Sequence, residues 1–307
     1  MNKIDNNLID AIHDNIDSIE VVLRINMMCN QKCIFCFVDI NSTNFFSFED
    51  VKNQIIELKK IYNGKKIEFV ITGGEPTINP DFIKIIEYLY NNGDYIRVQT
   101  NAVYFGNKSN FNKIIKYLDK IDFFISFHSS NEKIYNYITQ TSGQFDLAVL
   151  GIKNLLKYNK VEINIVLNSL NINFLGNYFK FLGENFKNIG EFVLNISIMT
   201  NIYKYKQADK MLVNYTKIAE KINNSEDIIK KYNINIADSF GAPCDMPFCI
   251  GKKLFYFKDK VYTKSRIIGD RTKIENCKFC KYDNFCNGIL KLYIEKFGSN
   301  EFIAIRD

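Results

Sequence analysis

Three cysteines within a single short stretch carry the most distinctive chemistry of this chain. Cys29, Cys33 and Cys36 follow a C-x3-C-x2-C spacing inside RINMMCNQKCIFC (24–36), just after the apolar run Val21-Val22-Leu23. Thiolates this close converge on one point and suit a soft metal, either zinc or an iron–sulfur cluster. Both kinds of centre usually take four ligands, so the missing fourth matters. A distant residue would complete a structural zinc site, whereas an unfilled position would leave the metal open to chemistry.

A second stretch decides between these. Lys66–Thr72 (KIEFVIT) reads as a buried strand that runs into Gly73-Gly74-Glu75-Pro76. Two glycines let the backbone approach a ligand closely, and the Glu75 carboxylate can accept from an amine. The three-cysteine loop after one strand and Gly-Gly-Glu-Pro after the next together resemble the radical S-adenosylmethionine (SAM) enzymes. The resemblance implies that Cys29, Cys33 and Cys36 hold a [4Fe–4S] cluster with one open iron, that SAM chelates that iron through its amino and carboxylate groups, and that Gly73–Pro76 cradle its methionine end.

Strands and helices must aim these loops. Short apolar segments at Val21–Asn26, Lys66–Thr72, Tyr95–Thr100, Asp122–His128, Glu162–Asn168 and Glu191–Ser197 alternate with amphipathic helical stripes such as Val51, Ile55 and Leu58. Asn79-Pro80-Asp81 reads as the capped, proline-bearing start of a helix. Such alternation predicts an α/β chain with a parallel sheet and ligand sites at the strands' carboxyl ends. The resemblance makes it a partial (β/α)6 barrel with a small C-terminal hairpin-plus-helix metal-cluster domain. The expected layout is an N-terminal helix over 1–20, from Ile4, Leu8, Ile12 and Ile16 at spacings of four, and the barrel over 21–205. A connecting helix and linker follow over 206–243, with Ala208, Met211, Tyr215, Ile218 and Ile222 as its stripe, and the cysteine-rich domain occupies 244–307.

Polar residues just past the strands are the remaining candidates. Thr100 and Asn101 resemble the polar strand end that contacts SAM or substrate in relatives, and Ser126 and Asn168 match SAM contacts by position. Phe35, between two of the cysteines, stands where relatives place an aromatic against adenine, or it shields the cluster. His128 can donate to a substrate carbonyl or carboxylate, or serve as a buried hydrogen-bonded side chain. Each of these polar groups can equally cap a strand or a helix.

The other five cysteines all follow residue 243: Cys244, Cys249, and Cys277-x2-Cys280-x5-Cys286 before Asn287-Gly288. Leu254–Phe257 and Val261–Thr263 predict a hairpin, and Ile289 to Phe297 a helix that Gly298 ends. A unit this small needs a metal to stay folded. The tract resembles the twitch or SPASM extension that carries auxiliary [4Fe–4S] clusters in many radical SAM enzymes. The longer SPASM pattern expects a cysteine where Leu290 stands, so one auxiliary cluster fits, held by Cys277, Cys280, Cys286 and Cys249. Four thiolates leave no open iron, which makes this cluster an electron relay or a structural support; a four-cysteine zinc site is the alternative. Cys244 is left as the true fourth ligand, an inert thiol, or a hydrogen-atom donor of the kind found in some peptide epimerases of this family.

Composition limits the rest. No apolar run approaches the roughly 18 residues that cross a bilayer, and the amino terminus is too polar for a signal peptide, which predicts a cytoplasmic protein without a membrane partner. The cysteines cluster as ligands do, unlike a disulfide framework. The net charge of +6 comes from lysines interleaved with acids, and no nucleic-acid motif accompanies it. The resemblance implies reductive cleavage of SAM to a 5′-deoxyadenosyl radical, fed by an electron donor such as flavodoxin or ferredoxin. Its expected use is hydrogen abstraction from a ribosomally made peptide, giving a crosslink or an epimer; modification of a small metabolite and non-catalytic SAM sensing are the alternatives. The roughly twenty residues before the first strand are too few for a separate leader-peptide-binding domain, which weighs against a peptide.

Overall fold

The computed structural model describes residues 5, 7–14, 18–36, 38, 44–199, 208–241, 244–258 and 269–306. Its main sheet contains β1 (Ile9–Asp14), β2 (Ser18–Arg24), β3 (Lys66–Thr72), β4 (Tyr95–Thr100), β5 (Ile121–Ser126), β6 (Val161–Leu167), β7 (Phe192–Ile198) and β8 (Asn235–Ile236), in chain order across the sheet. β2 to β5 pair in parallel, as do β7 and β8. The α/β prediction holds, and each of the six expected strands is present within a few residues of its predicted limits.

The amino terminus differs from expectation. β1 pairs antiparallel with β2, Ile9 opposite Leu23 and Ile12 opposite Val21, where a helix was predicted over 1–20. Spacings of four satisfy a two-residue repeat as well as a helical one. The free edge of β2 settles the matter by offering a ladder of backbone partners. Residues 1–4, 6 and 15–17 of that predicted helix lie outside the described residues.

The chain divides into two compact units. The first comprises Met1–Phe127, Thr139–Ile163 and Ile189–Phe192. Its helix Phe48–Ile61 begins at a reciprocal cap between Ser47 and Asp50 and buries Val51, Ile55 and Leu58, as the stripe predicts. The helix Phe82–Asn91 starts without a side-chain cap. Asn79 Oδ1 instead accepts from Asp81 N at 2.8 Å, in the turn ahead of the helix, while its amide donates to Ile25 O at 2.7 Å and Phe46 O at 3.0 Å.

The second unit comprises His128–Ile138, Asn164–Asn188 and Val193–Asp307. The predicted connecting helix is two, Ala208–Met211 and Tyr215–Asn223, because Asn214 caps the latter by accepting from Lys217 N at 3.1 Å. The stretch read as linker carries a further helix, Glu226–Lys231, and β8. Of the hairpin predicted at Leu254–Thr263, the structure describes the first arm alone. Asn223 accepts from Phe255 N and donates to Lys253 O, taking backbone groups that a strand would need, and Leu254–Phe257 runs as turns. Residues 259–268 lie outside the described residues. Among the described residues of this region the two-stranded pair is β9 (Arg271–Thr272) with β10 (Ile289–Leu290), followed by the helix Lys291–Phe297 that Gly298 ends.

Candidate metal and cofactor sites

The first cysteine loop leaves β2 and is locked to the glycine loop after β3 by main chain. Ile25 N donates to Thr72 O at 2.9 Å, Gly74 N to Asn26 O at 3.0 Å, and Glu75 N to Met28 O at 2.8 Å. Asn26, fully buried, donates its amide to Glu75 O and Met28 O. A Cβ on Gly73 would lie 2.3 Å from Asn26 Oδ1, and one on Gly74 2.2 Å from Met28 O. The close approach these glycines allow is therefore to the cysteine loop itself.

Glu75 is turned into the protein. Its carboxylate accepts from Thr77 N at 3.2 Å, Thr77 Oγ1 at 2.6 Å, Thr100 Oγ1 at 2.7 Å and Asn101 N at 2.8 Å. Burial pushes its acid above the usual carboxylate range, and these donors pull the other way. Four protein donors occupy the oxygens, so Glu75 ties the glycine loop to the end of β4. Pro76 opens the one-turn helix Pro76–Ile78.

An amide network then fixes the cysteine loop from the opposite direction. Asn101 Nδ2 donates to Asn30 Oδ1 at 2.7 Å, Gln144 Nε2 to Asn30 O at 3.0 Å, and Gln31 Nε2 to Gln144 Oε1 at 3.2 Å. Of these four, sequence reasoning singled out only Asn101; Gln144 could have been noticed as the polar residue directly ahead of an apolar helical stripe. Phe35 sits half-buried in the turn where Cys36 N donates to Cys33 O at 2.9 Å, and Ser126 ends β5, also half-buried.

The three cysteines are half-buried. Burial and then Glu75 raise Cys29 to about 12, while burial followed by Cys36 and Cys29 raises Cys33 further. Cys36 is raised by burial, and Arg24 partly offsets it. Arg24 is held by Asp10 on β1, Nη2 to Oδ1 at 2.6 Å, an ion pair that exists only because β1 is a strand. Three thiols on one short loop that resist ionisation alone are a donor set that a cation would complete, favouring all three thiolates at once. Among the described residues no three Cys, His, Asp or Glu side chains are already gathered in ligating range of one point.

The second cysteine group has a different frame. Cys249 lies on the short helix Phe248–Gly251, Cys277 in the one Glu275–Phe279, and Cys280 and Cys286 end one-turn helices. Burial raises Cys249 to about 12, and Cys286, Cys277 and Cys280 each add to the rise. Phe248 stacks on Tyr282 with centroids 4.4 Å apart and planes 7° from parallel. Arg271, 3% exposed, donates to Gly288 O at 2.7 Å and to Asp245 O at 3.4 Å; Gly288 N in turn donates to Cys286 Sγ at 3.4 Å. Gly288 has φ +83°, and a Cβ there would meet Thr272 O at 2.2 Å. Cys244 is exposed, its carbonyl accepting from Ile198 N at 2.8 Å.

His128 and Asn168 belong to the second unit and are joined there through Asn171. Asn171 Nδ2 donates to His128 O at 3.0 Å and its Oδ1 accepts from Asn168 N at 2.9 Å. Asn168 is fully buried, donating to Val166 O and accepting from Leu170 N. His128 Nδ1 accepts from Val166 N at 3.2 Å, and burial lowers its pKa to about 4, so the ring is neutral near pH 7.

Comparison with known proteins agrees with this arrangement. Over 142 residues the chain is 32% identical to a putative glycyl-radical enzyme activating enzyme of Methanocaldococcus jannaschii, covering 45% of this chain and 52% of that one. It is 32% identical over 163 residues to a probable GTP 3′,8-cyclase of Methanocella arvoryzae, 52% and 50% of the two chains. The chain thus spans about half the length of these relatives. Among solved structures, native anSMEcpe with bound AdoMet and Kp18Cys peptide superimposes with a TM-score of 0.63 at 19% identity, over 93% of this chain and 95% of that one, a likeness of fold. The family model described as the Radical SAM superfamily matches residues 24–192, which takes in the cysteine loop, the glycine loop and β3 to β6, and the chain belongs to that superfamily.

Proposed function

We propose that this chain is a radical SAM enzyme acting on a peptide, with its SAM-binding cluster held by Cys29, Cys33 and Cys36 and an auxiliary cluster held by Cys249, Cys277, Cys280 and Cys286. The observation that carries the reading is the interlocking of the cysteine loop with Gly73 and Gly74, which fixes the loop that bears the three cysteines. When bound, the cluster and SAM supply a 5′-deoxyadenosyl radical for hydrogen abstraction. The chain's own contribution is positional. Glu75 and Asn101 fix the two loops relative to β4, and Gln144 and Asn30 prevent the cysteine loop from swinging outward. Thr100, Phe35, Ser126 and Asn168 remain the proposed SAM-side contacts. Thr100 and Asn168 act through the loops they pin, since their side chains already hold protein partners.

A peptide substrate is supported by the neighbour solved with a bound peptide and by the cysteine-rich second unit. A nucleotide is the second reading, favoured by the relative described as a GTP 3′,8-cyclase. His128, neutral and buried, serves either substrate as a positioning group, and Cys244, exposed, is the proposed hydrogen-atom donor if the product is an epimer. The decisive experiment is 5′-deoxyadenosine formation by anaerobically reconstituted, reduced protein with SAM. Production that vanishes in Cys33→Ala supports the assignment; iron at the first site with no product, in the presence or absence of candidate peptides and GTP, would sink it.

A further inference from the structure

The glycine loop reaches the cysteine loop at residues 26–28. Asn30, Gln31 and Lys32, which separate Cys29 from Cys33, are gripped from another part of the first unit. Asn30 O and the Gln31 amide meet Gln144, and Lys32 N donates to Thr139 O at 2.9 Å. Thr139 is fully buried, its hydroxyl 2.7 Å from that of Thr141, and Gln140 between them holds φ +53°, a left-handed backbone conformation that costs a side chain energy. A strained, buried turn of this kind persists only where its surroundings hold it.

The helix Phe145–Leu156 follows directly and is seated by backbone contact. A Cβ on Gly151 would lie 2.0 Å from Ala102 O, and one on Gly106, in the short helix Val103–Gly106, would lie 2.2 Å from Leu147 O. Asn154 Nδ2 donates to Phe105 O at 3.0 Å across the same crossing. Ala102 is itself fixed: it is fully buried at φ +63°, its N–H donates to Thr100 Oγ1 at 3.1 Å, and Asn101 before it is tied to Glu75. An atom added at Gly151 therefore displaces the helix, and with it Gln144, about 10 Å away along the axis.

We propose that this glycine crossing sets where Cys33 stands relative to Cys29, which makes Gly106 and Gly151 positioning residues for the first metal site. They act through Thr139 and Gln144. The inference rests on the reading of Cys29, Cys33 and Cys36 as ligands of one cluster.

Hydrogen exchange of the metal-free chain reads the geometry without the cluster. In Gly151→Ala the Lys32 amide should exchange about tenfold faster or more, with the amides of β3 and β4 unchanged, because the turn that holds it has shifted while the sheet has not. Gly176→Ala, whose Cβ would meet Ser225 Oγ at an ordinary 3.5 Å, should leave Lys32 exchange as it is in the unaltered chain. Asn154→Ala removes one hydrogen bond of the crossing and adds no atom; it should give the same localised change at about threefold, and it decides the matter if Gly151→Ala does not fold. After anaerobic reconstitution, iron at the first group is the excess over Cys29→Ala/Cys33→Ala/Cys36→Ala. That excess should fall by about half or more in Gly151→Ala, and by less in Asn154→Ala. Unchanged Lys32 exchange in both variants would overturn the proposal. So would equal acceleration across β3 and β4, which marks general loosening, or faster Lys32 exchange with the first group's iron and paramagnetic resonance signal intact. No excess iron in the unaltered chain would instead overturn the cluster reading beneath it.

Discussion

The two cysteine groups of this chain are assembled by opposite means. The first is a backbone construction, in which Gly73 and Gly74 press against residues 26–28 and small amides, Asn26, Asn30, Asn101 and Gln144, complete the hold. The second is built from large side chains: Phe248 stacked on Tyr282, and Tyr293 stacked on Tyr215 with centroids 4.0 Å apart, around a buried Arg271. Main-chain contacts at van der Waals distance tolerate no added atom, whereas aromatic packing tolerates change but relies on what it surrounds. The first group should accordingly fail through geometry, and the second through loss of its metal.

Gly74→Ala should separate them most sharply. Its Cβ would overlap two main-chain carbonyls, at 2.2 Å and 2.5 Å, which no side-chain rotation relieves. We expect loss of detectable 5′-deoxyadenosine and of the first cluster's signal in electron paramagnetic resonance, with the second retained. Loss of both signals would show that the two groups do not fail independently. Cys249→Ser comes next, lowering iron from about eight to about four per chain while Cys244→Ser leaves it near eight. Equal iron in the two variants would remove Cys249 from the ligand set.

Glu75→Gln should be milder. Replacing one acceptor oxygen by an amide leaves a buried donor facing donors, at a cost of about 1–3 kcal/mol in denaturant unfolding, with cluster content preserved. A smaller loss would mean that the glycine loop is held by its main chain alone. The smallest effect at neutral pH belongs to His128→Gln. The unfolded chain takes up the proton near pH 6.5 and the folded chain only near 4, so stability should fall as pH drops through that window, by about 3 kcal/mol in all, and be unaffected above it. The variant should lack this slope; an identical acid profile would show that His128 is not the buried group responsible.

Much of this was readable in the linear chain because spacing alone expresses it. Cysteines separated by three and by two residues in a loop after a strand mark a metal site before any folding, since the backbone between them is too short to place them far apart, and with the two glycines after another strand they carry the family resemblance. The six parallel strands likewise follow from local alternation of apolar segments. What the tertiary structure decided are pairings between residues distant in sequence. Only the fold made Ile9–Asp14 a strand against β2 and so brought Asp10 to Arg24. Only the fold turned Glu75 inward onto Thr77, Thr100 and Asn101. A single sequence records what each residue can bond to; which partner reaches it depends on the closed loops between them, and those exist only in the folded chain.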